Sequence, residues 1–211
     1  MTIAVIGHGR VGGALAVGLH AAGHDVVIAT ATPDSESVQA LLARDGGLRV
    51  AAPTAAVASA EAVLLATPFQ ALQDIVASVG PVLGGKVLVD CTNPVGPGLR
   101  HGLGSARAGA ESVQEALPSA RVVKAFSVYG YENFEDSRER ASVVRPMMPI
   151  CGNEATSKTL VASLAADLGW DPLDVGGLGQ ALHLEHMTLL WVRMVRMAGG
   201  SPRLVWAALR D

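Results

Sequence analysis

The chain has 211 residues and a net charge of −3; half of its residues are hydrophobic, 17% are charged and 4% are aromatic. That is core material for one sizeable domain, or for one domain with a small appendage, and it excludes intrinsic disorder. The lack of a basic block and the few aromatic residues speak against a nucleic-acid partner.

In chain order, Ile3 to Ile6 is a β-branched apolar run that reads as a buried strand. Gly7, Gly9 and Gly12 follow as G-x-G-x-x-G, and Ala14, Leu15, Val17 and Leu19 continue at helical spacing. Gly7 permits the tight turn, Gly9 lets a pyrophosphate approach the backbone, and Gly12 lets helix and sheet pack closely. The helix start offers free N–H groups and partial positive charge to phosphates. A second strand, Val26 to Ala29, completes the context that makes this loop a dinucleotide-binding signal.

No acidic residue ends that second strand. A carboxylate there would bind a ribose 2′-hydroxyl and repel a 2′-phosphate, so its absence points to NADP over NAD. Thr30, Thr32 and Ser35 offer hydroxyls, and His8 and Arg10 offer positive charge. Asp34 is expected to cap a helix running to about Ala43.

Further strands are expected at Leu48 to Ala51, Glu61 to Thr67, Lys86 to Asp90 and Val122 to Phe126. Pro68 stands where a helix can begin. Strands alternating with helices predict an α/β, Rossmann-type, doubly wound and mainly parallel sheet. Ligands then bind beyond the strands' carboxyl ends. Thr67, Pro68, Phe69, Asn93 and Pro94 become the expected cofactor wall, together with Gly7 to Gly12, including Val11. Ser127, Val128 and Tyr129 become the expected substrate contacts. The Gly-rich stretch from Asn93, ahead of a helix ending near Leu117, is where a lid or substrate loop would sit. His101 lies in it, as a surface loop residue or a proton donor.

Asn153 is expected to cap the next helix and Gly169 to end it. Leu178 to Met197 reads as a helix apolar around much of its circumference, which suggests a homodimer contact. Glu185 and His186 read as polar positions on it, not metal ligands. Arg193 and Arg196 interrupt its apolar run and argue against a membrane span. Cys91 and Cys151 look like small buried residues of a reduced compartment. The chain opens directly on a strand and not on a leader, so a cytoplasmic protein is expected.

The segments "VIGHGRVGGALA", "HDVVIAT", "VLLATPF", "VVKAFSVYGYENFED", "PICGNEATSKTLVASLAADLGWDPLDVGGL" and "LEHMTLLW" span nearly the whole chain. In them the chain resembles the oxidoreductases that pass hydride between NADP and the deazaflavin coenzyme F420. It is also similar to the soluble reductase domain of the six-transmembrane metalloreductases. The resemblance implies a Rossmann domain over 1–150 and a small, mostly helical C-terminal part over 151–211 that completes the cleft. It implies direct hydride transfer between stacked rings, nicotinamide to deazaflavin or flavin. Many relatives have a longer glycine loop, a Ser-Arg pair where this chain has Thr30 and Ala31, and in some cases a His at the place of Ser127.

Such chemistry needs positioning more than side-chain acids and bases. No catalytic side chain is therefore required, with Tyr129 and His101 the only candidates for a proton donor. Two alternatives stay open: an NADPH-dependent reductase of a small carbonyl or imine, and a non-catalytic NADP-binding sensor or scaffold. Open space over the nicotinamide separates an enzyme from a sensor.

Overall fold

The computed structural model describes residues 1–135 and 144–209. Its main sheet contains β1 (Thr2–Ile6), β2 (Asp25–Ala29), β3 (Arg49–Ala51), β4 (Ala62–Leu65) and β5 (Val87–Asp90). It continues with β8 (Arg121–Lys124), β9 (Met147–Gly152) and β10 (Asp171–Asp174); β6 (Val95–Gly96) and β7 (Arg100–His101) form a separate small hairpin. The strand order is β10-β9-β8-β5-β4-β1-β2-β3, and every pair is parallel except β8 with β9. The Rossmann-type α/β fold read from the sequence is therefore the fold observed.

The central strands are largely apolar because helices cover both faces. Ile3 to Ile6, Ala62 to Leu65 and Val87 to Val89 are buried throughout. Helices α1 (Arg10–Ala21), α2 (Glu36–Arg44), α3 (Pro53–Ser59), α4 (Leu72–Val79) and α5 (Gly109–Ala116) link the first six parallel strands. The register aligns Ile6 with Leu65, Leu65 with Asp90 and Asp90 with Lys124, so these carboxyl ends form one ledge.

The order in which successive strands are added reverses between β1 and β4, which run parallel, and this opens the crevice where ligands bind in such sheets. Two features there need glycine. A Cβ on Gly7, at φ +101°, would stand 2.6 Å from the Ala66 carbonyl oxygen. A Cβ on Gly12 would stand 1.8 Å from the Gly7 carbonyl oxygen.

Several local expectations are corrected. Helix α2 starts after Ser35 and not after Asp34, and no side-chain cap bond is made. Helix α6 (Ala155–Asp167) has Glu154 at its N-cap. Asn153 instead accepts the Leu178 N–H through Oδ1 at 2.9 Å. Gly169, at φ +82°, does end that helix. The residue range 147–152 is strand and crosses the expected domain limit at 150, and 171–174 adds an edge strand beyond it. Both escaped the pattern because Pro149 and the Asp-Pro-Leu-Asp composition of β10 suppress strand signals; Pro172 of β10 lies on the sheet edge, where proline is tolerated.

Helix α7 (Ala181–Val192) continues as one π turn over Arg193–Met197. One face is buried, through Ala181, Leu184, Glu185, Thr188, Trp191 and Val195. The opposite face leaves Leu190, Met194 and Met197 exposed, so within one chain the helix is not buried on several sides. No helix among the described residues is long and apolar enough to cross a membrane.

Candidate functional site

The head of α1 is a phosphate cradle in its geometry. Its N-cap is Gly9, no side chain caps it, and its first turn carries no acid. Those N–H groups are free for an anion. A Cβ built on Gly9 meets nothing within 4 Å. No described residue claims the space that Gly9 keeps clear, as a bound pyrophosphate requires. At the end of β4, Thr67 Oγ1 is buried with no hydrogen-bond partner among the described residues. An unpaired buried hydroxyl is costly, and a ribose hydroxyl would satisfy it. The residues present fit a dinucleotide.

The far end of β2 gathers hydroxyls. Thr30, buried, accepts the Thr32 N–H through Oγ1 at 3.1 Å. Ser37 Oγ lies 3.0 Å from His8 Nδ1 and 3.4 Å from Ser35 Oγ. His8 thus bridges the glycine loop to the start of α2, while Thr32 and Ser37 are exposed. Ser37 was missed by the sequence reading, and only its contact with His8 marks it.

Arg10 points elsewhere. Its guanidinium lies over the Tyr131 ring, 5.2 Å from the centroid. There it joins a cavity of about 410 Å³ that begins at Arg10 and Val11 and runs along the residues after β5 and β8. Cys91, Asn93, Phe126, Ser127 and Tyr129 form its floor, and Tyr131, Thr188, Trp191 and Arg196 its walls. Phe69 and Pro94 line a neighbouring, more apolar cavity on the other side of the β5 loop.

A hydrogen-bond lattice shapes that floor. Asn93 Nδ2 donates to the Ser127 carbonyl at 2.9 Å. The Thr188 hydroxyl lies 3.0 Å from both Asn93 Oδ1 and the Ser127 carbonyl, tying α7 to both loops. Phe126, at φ +54°, sits in a backbone region that bulky residues rarely adopt, and it turns the chain into Ser127. Burial pushes the Cys91 thiol up, so it stays protonated and is no nucleophile.

Three expected site residues lie differently. Val128 is fully buried and does not reach the cavity. Tyr129 reaches the cavity wall, but its hydroxyl donates to the Met147 carbonyl at 2.8 Å and its ring stacks on Trp170 at 5.0 Å. His101 is not a surface loop residue. It is buried in β7, with Nε2 2.7 Å from Glu185 Oε2, and its Nδ1 accepts N–H groups of Leu103 and Ser105. Those acceptor bonds place its proton on Nε2, aimed at Glu185 and away from the cavity.

Glu185, read as a polar position on α7, is buried. It is 1% exposed and also takes the Gly109 and Ala110 N–H groups at the start of α5. Burial works against its charge, but Lys124, His101 and those two N–H groups outweigh it and hold the carboxyl below its ordinary range. Among the described residues no group of three potential metal ligands forms.

The fold and the glycine cradle define a Rossmann-type α/β protein. Residues 2–94 match the model of the family described as NADP oxidoreductase, coenzyme F420-dependent. The chain is 28% identical over 192 residues to the metalloreductase STEAP3 of Rattus norvegicus, covering 89% of this chain and 36% of that protein. It therefore spans little more than a third of that curated relative. Among solved structures it is similar to a proposed F420-dependent NADP reductase of Arthrobacter sp. FB24, with 27% identity, a TM-score of 0.88 and 99% of both chains covered. A hypothetical protein of Sinorhizobium meliloti shares 26% identity at a TM-score of 0.76, over 99% of this chain and 96% of that one. The resemblance seen in the sequence holds: the chain is similar to NADP-dependent oxidoreductases.

Proposed function

We propose that the protein is an oxidoreductase that transfers hydride between NADP(H) and a planar deazaflavin or flavin ring. The observation that carries this reading is the continuous cavity from Arg10 and Val11 to Ser127 and Trp191. It starts at the phosphate cradle and leaves about 410 Å³ open where a nicotinamide would end. A sensor would have no need of that space. NADPH, when bound, supplies two electrons and one hydrogen as hydride; the acceptor ring takes its further proton from solvent. The chain's part is to hold the dinucleotide on the α1 head, to present a rigid lining of Asn93, Ser127 and Thr188, and to shield the rings with Trp191 and Tyr131.

The test is NADPH oxidation against coenzyme F420, FMN, FAD and a set of carbonyls and imines. Turnover with a deazaflavin or flavin supports the reading. Turnover with carbonyls or imines alone supports the reductase alternative. That alternative has one specific observation in its favour: Tyr131, half-buried on the cavity wall, could serve as a proton donor. No turnover with tight NADPH binding supports a sensor.

We also place a homodimer contact on the exposed Leu190, Met194 and Met197 face of α7, where apolar surface lies open. The free, buried Cys91 and Cys151 suit a reduced compartment, and we assign the protein to the cytoplasm.

A further inference from the structure

We infer that residues 201–206 form a strap that positions the aromatic wall of the cavity, through Trp191 and the Tyr129–Tyr131 stretch, and that its docking sets the affinity for a flat acceptor ring. This role rests on the reading of that cavity as the acceptor site. Trp191, Tyr129, Gly130 and Tyr131 line the cavity, and residues 201–206 do not. The strap therefore acts on an acceptor only through the wall that it holds.

The Gly199-Gly200-Ser201-Pro202 sequence, just after the π turn, reverses the chain. The Gly200 N–H closes this return on the Met194 carbonyl at 3.0 Å, and the Leu204 N–H donates to the Ser201 carbonyl at 3.0 Å. Three donors then converge on carbonyls of the strap. Trp191 Nε1 donates to Leu204 at 2.8 Å, Asn133 Nδ2 to Pro202 at 2.7 Å, and the Met147 N–H to Trp206 at 2.8 Å. The Trp206 ring also lies 5.6 Å from the Tyr129 ring, which stacks on Trp170. These attachments tie α7, the short 3-10 turn Tyr131–Asn133, β9 and Tyr129 to one segment.

Trp191 and Asn133 are buried, and a buried indole or amide N–H left without an acceptor is costly, so each bond fixes its side chain. The indole is gripped at both ends. Its nitrogen is held by the Leu204 carbonyl, and its six-membered ring rests on Gly130, where an added Cβ would stand 2.5 Å from Trp191 Cη2. A flat conjugated ring binds by face contact with aromatic surface, and dispersion contacts weaken steeply once a gap of even half an ångström opens. With the strap displaced, the indole N–H loses its acceptor and the ring is free to turn, so the wall loses its fit. The phosphate cradle lies at the head of α1, where the cavity begins, and holds NADP(H) without the strap.

The experiment measures riboflavin binding to the NADP⁺-loaded protein by quenching of flavin fluorescence, and NADPH affinity separately by titration. Trp206→Ala should weaken riboflavin by roughly three- to tenfold, the worth of the one hydrogen bond that no longer fixes Trp191. Trp206→Phe keeps a ring against Tyr129 and should restore riboflavin affinity to within about twofold of the parent. NADPH affinity should stay within about twofold in both, as for a site with no shared partners. Trp191→Phe keeps an aromatic face but not the N–H. Combined with Trp206→Ala, its loss should fall clearly short of the product of the two single losses, because both changes break the same bond. Riboflavin bound equally by the parent and Trp206→Ala overturns the strap's role. So do losses that multiply in full, and so does a Trp206→Ala protein that loses riboflavin and NADPH affinity in equal measure, which is a general loosening of the fold. If Trp206→Ala does not fold, Trp191→Phe decides: a loss confined to riboflavin supports the role and unchanged binding overturns it. A parent protein that binds no riboflavin removes the acceptor-site reading and the strap's role with it. If the parent binds riboflavin and the variants behave as expected but NADPH is not oxidised, the hydride-transfer reading fails while the strap's role stands.

Discussion

Lys124 Nζ lies 3.3 Å from Glu185 Oε1, and neither side chain is open to solvent. The same ammonium is 2.9 Å from Asp90 Oδ2 and also donates to the Thr92 carbonyl. One buried cluster thus joins β5, β8, α7, the β6–β7 hairpin through His101, and the start of α5. Thr188 and Trp191, which face the cavity, lie one and two turns along α7 from Glu185. The cluster therefore sets the position of the helix over the site.

Breaking this cluster should cost stability heavily. Glu185→Ala leaves a buried ammonium short of a partner and is expected to cost about 3–5 kcal/mol. For a chain of this size that is a fall in Tm of roughly 6–20 °C. Thermal unfolding followed by circular dichroism measures it. A fall of less than about 3 °C, under the cost of a broken buried pair, would show that the cluster contributes little.

The pH dependence follows from two directions. The Glu185 carboxyl is held below its ordinary value, so its contribution is complete above the ordinary range near 4.3 and is lost as pH falls through the folded value. Burial opposes the Lys124 charge, but Asp90 and Glu185 outweigh it and raise the ammonium above its ordinary value. Its contribution is complete below about 10.4 and is lost as pH rises beyond. The cluster should therefore stabilise the fold fully between about pH 4.5 and 10. Urea midpoints across that range should change more outside it in the parent than in Glu185→Gln; identical profiles would remove the cluster as the cause.

The glycines separate binding from folding. Gly9→Ala meets no atom of the described residues within 4 Å and has no positive φ to strain, so its Tm should stay within about 1–2 °C of the parent, as for a surface change. Its NADPH affinity should drop at least about tenfold, because the methyl occupies the place of a phosphate contact. Gly12→Ala drives a Cβ against the Gly7 carbonyl and should destabilise the fold itself. Calorimetry on both variants decides; unchanged NADPH affinity in Gly9→Ala would take the loop out of the binding site.

Coenzyme choice should rest on the His8 and Ser37 corner. NADPH is expected to bind at least about tenfold more tightly than NADH, ~1.4 kcal/mol, because no carboxylate ends β2. His8→Ala should narrow that gap more than Arg10→Ala, since the Arg10 guanidinium lies against Tyr131. Equal affinity of the parent for both coenzymes would sink the assignment.

Side-chain proton transfer should matter little. Tyr129→Phe is expected to keep turnover within about tenfold, whereas loss of a positioned acid typically costs 10²–10⁴-fold. Its hydroxyl is already given to the Met147 carbonyl. The informative partner is Tyr131→Phe. A loss of a hundredfold or more there would favour the carbonyl or imine reductase.

Strands β1 to β5 and β8, their order of appearance and the glycine loop were legible in the sequence because each is a local rule. Ile3 to Ile6 is apolar since both sheet faces are covered, and Gly7 and Gly12 are forced by contacts within a few residues or one strand away. The missing acid after Ala29 could be read for the same reason. What needed the tertiary structure was the destination of side chains whose partners lie far along the chain. Glu185 and His101 look like polar surface residues in any local window, yet each is buried because the other, with Lys124, satisfies it. Tyr129 looks like a free hydroxyl until Met147 arrives on β9, a strand that proline hides from the pattern. Arg10 opens α1 within a glycine motif whose sequence says phosphate, and only the fold shows Tyr131 beneath its guanidinium and Arg196 across the same cavity. Spacing along a chain encodes backbone geometry, whereas the pairing of charges and hydroxyls is decided by which surfaces the packed elements bring together.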